Sequence, residues 1–207
     1  MEVAEPRPEP KRRQLRRQAR TIETRAGVMD ALGDEGLLDR RKLALICSQK
    51  CPGDVILNTY DFARLVRGSG LAIVSGFHSP IEKDCLPILL RGPNPIIIVH
   101  GHRLSTSRLP RDWQKAIEAK RLLLLSPFRE RAKRVTTELA AERNRFVAAI
   151  SDEILIPYAA PGSKTEALFR ALRASGKRVY TFEAPGNAAM ISAGAVAVVP
   201  SFFPPSR

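Results

Sequence analysis

The chain has 207 residues, 44% of them apolar, which is enough for a packed core; 34 Lys and Arg against 21 Asp and Glu leave a net charge of +13. An excess of that size suits polyanions, through phosphate contacts and counterion release, without separating DNA from RNA, a nucleotide or an acidic membrane surface. No apolar run reaches the roughly 18–20 residues that span a bilayer, and residues 1–20 lack the apolar stretch of a secretory signal, so a soluble, cytoplasmic chain without a membrane partner is expected.

Residues 1–20 are rich in Pro, Arg and Glu, with six basic residues and no acid from Lys11 to Arg20. Too little apolar surface is available there to offset ordering entropy, so disorder is expected. In residues 21–39 the apolar positions Ile22, Val28, Met29, Leu32, Leu37 and Leu38 suggest a short helix broken near Gly33 and Gly36. Residues 1–40 are thus read as a basic, partly disordered arm with a short helix.

From Lys42 onward short apolar runs alternate with amphipathic stretches. The runs cover 43–47, 71–75, 95–100, 121–126, 153–158, 178–183 and 195–199, each continuous rather than alternating. Such runs suit strands covered on both faces, as in a parallel sheet. Helices are predicted over 54–68, 80–91, 111–119, 136–151 and 163–175, with Gly176 as a C-cap. The alternation predicts an α/β fold: an extended Rossmann-like, doubly wound, mostly parallel sheet over residues 41–200, with 201–207 as a tail.

In such a sheet ligands gather at the carboxyl ends of the strands, where helix N-termini offer unpaired N–H groups. The turn after the first run holds Ser48, Lys50 and Gly53, without the spacing of a P-loop or a dinucleotide fingerprint. After the second run, Ser75 and Gly76 allow a tight turn, Ser79-Pro80 reads as an N-cap with Pro at N1, and His78 sits where an anion could use it. After the third come His100 and His102, with no third ligand to make a metal site, and Arg103 and Arg108 around Ser105, Thr106 and Ser107. After the fourth, Arg129, Arg131, Lys133 and Arg134 form a basic cluster ahead of a helix that carries Arg143, Asn144 and Arg145. From Arg103 to Arg145 there are twelve Lys and Arg against five Asp and Glu. After the fifth, Gly162, Ser163, Lys164 and Thr165 combine flexible backbone, hydroxyls and a cation, and Glu166 sits where the helix dipole favours a carboxylate. Cys47, Cys51 and Cys85 lack metal-ligand spacing and read as reduced thiols, so neither metal nor cofactor is expected.

Several segments together resemble the DprA/Smf DNA-processing family. SGFHSPIEKDCL, from Ser75, occupies the place of its SGxARGID motif, and RNRFVAAIS, from Arg143, resembles its RNRIIAGLS. The stretches EILIPYAAPGSKTEAL, GKRVYTFEAPGN and ISAGAVAVV resemble the family's later strands and turns, so that the likeness spans about residues 43–199. The resemblance implies an extended Rossmann domain that binds single-stranded DNA in a basic pocket, often as a homodimer, and serves a recombinase in DNA uptake or recombination. It assigns contacts to Ser75, Gly76, Arg143, Asn144, Arg145, Gly162 and Ser163. Ser79 and Pro80 stand where the family has Arg-Gly; His78, Lys83 and the Arg129–Arg134 cluster are nearby substitutes. The stretch from Glu142 to Leu168 is also similar to the LOG and lysine-decarboxylase-like nucleotide phosphoribohydrolases, whose catalytic Arg and Glu would fall on Arg143 and Glu166, with a nucleoside monophosphate as substrate. A third reading makes the N-terminal arm a partner contact and the sheet a scaffold.

Overall fold

The computed structural model describes residues 19–104, 109–128 and 136–203. The predicted parallel core is present. Strands β3 (Lys42–Leu45), β4 (Ala72–Ser75), β5 (Ile96–Val99), β6 (Leu122–Ser126), β7 (Glu153–Leu155), β8 (Val179–Phe182) and β9 (Val196–Val198) coincide with the seven apolar runs. Helices α1 (Gly53–Val66), α2 (Pro80–Leu90), α3 (Arg111–Glu118), α4 (Thr137–Ile150) and α5 (Lys164–Ala174) coincide with the five predicted helices, and a short α6 (Ala188–Ser192) precedes β9.

Local chemistry accounts for several boundaries. The Ser79, Thr136 and Ser163 side chains accept N–H bonds from residues three positions on, capping α2, α4 and α5. The last turn of α5 closes on Gly176, at φ +75°, with Lys177 N–H bonded to Leu172 O and Gly176 N–H to Arg173 O.

The sheet order is β1-β2-β6-β5-β4-β3-β7-β8-β9. Every pairing from β6 to β9 is parallel. The chain winds from β3 outward through β4 and β5 to β6, then returns to β7 on the other side of β3, so the order reverses between β3 and β7. Because side chains alternate across a strand, each apolar run serves two cores. Leu43, Leu45, Ile73, Ile96 and Ile98 pack with Val55, Phe62, Ile81 and Leu89 of α1 and α2. Ala44, Ile46, Val74, Ile97 and Val99 pack on the other face with Val147 and Ile150 of α4 and Phe169 of α5.

Residues 21–39 depart from expectation. They form no short helix but an antiparallel hairpin, β1 (Arg20–Thr24) and β2 (Gly27–Gly33), followed by a 3-10 turn over Glu35–Asp39. β2 pairs antiparallel with β6, extending the same sheet. Met29 and Ala31 face inward while Val28 is exposed, a two-residue period that outweighs the helical spacing. At Gly33, φ is +126° and a Cβ would stand 2.2 Å from Leu122 O, so the close strand approach admits only glycine. The boundaries drawn at residues 40 and 200 also miss core: Phe203, 4% exposed, sets its ring edge-on against Phe62 and Tyr180.

Candidate functional site

The reversal point between β3 and β7 opens into a cavity of about 940 Å³. A doubly wound sheet leaves such a crevice because the loops after the two central strands diverge to opposite faces. The loop after β3 supplies Ser48 and Lys50, the loop after β4 supplies His78 and Ser79, and α4 and α5 form the walls.

Ser48, 4% exposed, joins the loop after β3 to the loop after β7. Its N–H donates to Tyr158 O, its Oγ accepts from Ala160 N–H at 2.9 Å, and its hydroxyl meets that of Ser163 at 3.3 Å. A buried hydroxyl with two partners, beside a paired backbone N–H, fixes the spacing of both loops.

Glu82, 2% exposed, was not singled out from the sequence. Its Oε1 accepts from Cys47 N–H at 2.8 Å, and its Oε2 accepts from His78 N–H at 2.9 Å and Ser79 N–H at 3.4 Å. The Ser79 hydroxyl in turn accepts from Glu82 N–H, completing a capping box. The signal was legible as S-x-x-E at 79–82, but the reach to Cys47 was not. The N-terminus of α2, expected to hold a ligand anion, is therefore already engaged by a carboxylate of its own.

Arg143 is the central cation. It is 3% exposed and lies over Gly76, where an added Cβ would come within 2.3 Å of its Nε. Gly76 does not have a positive φ, so glycine serves here as room for the guanidinium. Nε and Nη2 of Arg143 donate to Asn144 Oδ1 at 3.1 and 2.8 Å. Burial lowers the guanidinium pKa and the Glu82 carboxylate opposes that, while an arginine stays protonated throughout. His78, half-buried, has its pKa lowered by burial first, then by Arg143 and Lys83, against Glu82. Its imidazole is thus kept toward the neutral form.

Asn144 and Arg145 also line the cavity, as do Ser163 and Lys164 at the start of α5 and Lys177 beyond its end. Lys164 Nζ pairs with Glu138 at 3.1 Å, a solvent-exposed bond of small energy. Between these polar rims, Ala140, Ala141, Ala167 and Ala171 give the facing helices a smooth apolar surface.

Of the residues expected at the site, Ser48, His78, Ser79, Arg143, Asn144, Arg145, Ser163 and Lys164 line this one cavity. Ser75, Gly76, Arg103 and Gly162 do not. Ser75 is fully buried and its Oγ accepts from Phe77 N–H, which leaves it facing its own turn. Arg103 is exposed on the loop after β5. Gly162 donates its N–H to Glu166 Oε2 at 2.7 Å, and Glu166 Oε1 meets Arg170 Nη2 at 2.8 Å. Both contacts, Arg170 first, hold the Glu166 carboxyl below its usual range, and this carboxylate is not part of the cavity lining. Of Ser75, Arg143 and Gly162, expected on one rim, Arg143 lines the cavity, while Ser75 Oγ accepts from its own turn and the Gly162 N–H is taken by the Glu166 carboxylate. Arg129, Arg131, Lys133 and Arg134 lie outside the described residues, as do Ser105, Thr106, Ser107 and Arg108.

Among the described residues no group of three or more His, Cys, Asp or Glu is arranged to hold a metal ion. No helix among them is long and apolar enough to cross a membrane.

Comparison with known proteins follows the same lines. The structure of DNA processing protein A from Streptococcus pneumoniae superposes with a TM-score of 0.72 at 17% identity, covering 88% of this chain and 71% of that one. DNA processing protein A from Helicobacter pylori, whose structure is described for its single-stranded DNA binding mode, gives 0.69 at 24% identity, covering 86% and 89%. The molybdenum cofactor carrier protein of Chlamydomonas reinhardtii gives 0.54 at 14% identity, covering 78% and 92%. At these identities the likeness establishes the fold. No curated protein matches the sequence. The family model of DNA recombination-mediator protein A matches residues 11–200, and the chain belongs to that family.

Proposed function

We propose that this protein binds single-stranded DNA at the carboxyl edge of its sheet and acts in DNA processing during uptake or recombination. One observation carries the reading: Lys50, Arg143, Arg145, Lys164 and Lys177 converge on a single cavity whose acids, Glu82 and Glu138, are engaged by three N–H groups and by Lys164 respectively. The balance of charge there favours phosphate, and the alanine surface between α4 and α5 suits the flat faces of bases. At about 940 Å³ the space accommodates a nucleotide unit or two rather than a duplex. Family membership and the described activity of the Helicobacter pylori relative support the same reading.

Arg143 is proposed as the buried anchor for one phosphate, with Arg145, Lys50 and Lys164 following the strand at the rim and His78 in the place of the family's missing arginine. A homodimer and a recombinase partner are proposed by family membership, and the cytoplasm as the compartment. The phosphoribohydrolase alternative needs a carboxylate against the ribose, and Glu166 is committed to Gly162 and Arg170 instead. Fluorescence anisotropy with a single strand and its duplex of equal length tests the proposal. Preference for the single strand is expected, with Arg143→Ala and Arg145→Ala each weakening it. Absent binding, or a preference for duplex, would remove the proposal.

A further inference from the structure

After β5 lies a group of aromatic rings that the site described above does not use. His100 and His102 follow β5, their rings stacked with centroids 5.2 Å apart and planes at 30°. Trp113, at the start of α3, meets His100 edge-on at 6.0 Å. His102 is half-buried, with His100 covering one of its faces.

The two rings are held differently. His102 is fixed at both ends: its Nδ1–H donates to Arg103 O at 3.0 Å, and its own carbonyl accepts from Ser126 Oγ at 2.7 Å. His100 is fixed by its backbone N–H to Leu125 O, while its Nε2 is buried with no hydrogen-bond partner among the described residues. An unpartnered buried nitrogen is costly, and phenylalanine would fill the same space without that cost. What His100 contributes is a flat ring beneath His102. Burial first, then His102 and Arg143, pushes its pKa down to about 4, so it is neutral near pH 7.

We infer that the outer face of His102, seated on His100 and braced by Trp113, is a stacking subsite for a nucleobase of a single strand that leaves the cavity past Arg143. The subsite rests on the single-strand reading of the cavity. Geometry gives the path. β5 lies two strands from β3 in the sheet order, which at 4.7–4.9 Å per strand is about 10 Å, within reach of a few nucleotides. Arg143 joins the two regions: it lines the cavity, and its charge acts on His100. Arg103, next in sequence to His102, and Arg111, two residues before Trp113, are exposed and suit phosphate oxygens. Base stacking on aromatic rings tolerates any sequence, as binding to a processed strand requires.

The test uses the whole chain and thymidine oligomers of two and about twelve nucleotides, at pH 8. The shorter oligomer fills the cavity alone; the longer one also reaches His102. For the longer oligomer His102→Ala is expected to weaken affinity about 5- to 10-fold and His102→Phe less than about twofold, with the salt dependence unchanged in both. Neither substitution should move affinity for the shorter oligomer. Trp113, the sole tryptophan of the chain, supplies a second readout. Its fluorescence should change on binding the longer oligomer in wild type and His102→Phe, and not in His102→Ala. If His102→Ala binds the longer oligomer as wild type does while Arg145→Ala weakens both, the stacking subsite is wrong and the cavity reading stands. If wild type binds neither oligomer, the cavity reading fails and the subsite with it.

Discussion

Replacing Gly76 by Ala adds one methyl group and, on this structure, disables an arginine on another element. The new Cβ would lie 2.3 Å from Nε, 2.5 Å from Cζ and 2.9 Å from Cδ of Arg143, where ordinary contact begins near 3.4 Å. The guanidinium must therefore retreat by about 1 Å, which breaks its two bonds to Asn144 Oδ1. Charged hydrogen bonds contribute roughly 1.5–3 kcal/mol each, partly recovered by re-pairing, so a stability loss of about 1–3 kcal/mol is expected in urea denaturation. Affinity for a single strand should fall about 10-fold or more, since a phosphate contact held by a displaced cation is lost. A double-mutant cycle separates the causes: if Gly76→Ala acts only by displacing Arg143, it should add almost nothing in an Arg143→Ala background. Additive losses would refute the reasoning, as would a Gly76→Ala variant that binds and unfolds like wild type.

Glu82→Ala leaves three N–H groups of the Cys47 and His78–Ser79 turns without their acceptor, and a loss of about 2–4 kcal/mol in urea denaturation is expected, with Glu82→Gln losing less; an unchanged midpoint would contradict the bridging role. His100 titrates near 4 when folded against about 6.5 when unfolded, so the unfolded chain binds more protons in that window. Stability should thus fall as pH drops from 6.5 to 4, by up to about 3 kcal/mol from this group, and His100→Phe should flatten that slope in denaturation series across pH. Glu166→Gln should leave single-strand affinity within about twofold of wild type in anisotropy titrations, since its carboxylate serves its own helix; a loss of more than tenfold would return Glu166 to the site.

The parallel core was legible because strands covered on both faces must be apolar at successive positions, as LLLL at 122–125 and III at 96–98 are. The β1–β2 hairpin was not, because one buried face on a short strand leaves only Met29 and Ala31 as signal, and Leu32 and Leu37 blur the period. Position along the chain points to the turns and helix starts that bring Ser48, His78, Ser79, Arg143, Asn144, Arg145, Ser163 and Lys164 to one cavity, since the sheet topology gathers those segments at its reversal point. Topology does not say which way a short side chain turns. Ser75 and Gly162 sit in the right turns and yet bond to Phe77 and Glu166. The reach of Glu82 to Cys47, and the need for a bare Gly76 beneath Arg143, are contacts between distant segments that no local pattern announces.

The most direct measurement is the salt dependence of single-strand binding for wild type and Arg145→Ala. Each phosphate neutralised on a single strand contributes about −0.7 to the slope of log K against log salt concentration. With Lys50, Arg143, Arg145 and Lys164 facing the cavity, the slope should be roughly −2 to −3 in wild type, and Arg145→Ala should make it shallower by about 0.7. Binding that is undetectable at low salt, or a slope that Arg145→Ala leaves unchanged, would contradict a phosphate-holding cavity at the reversal point of the sheet.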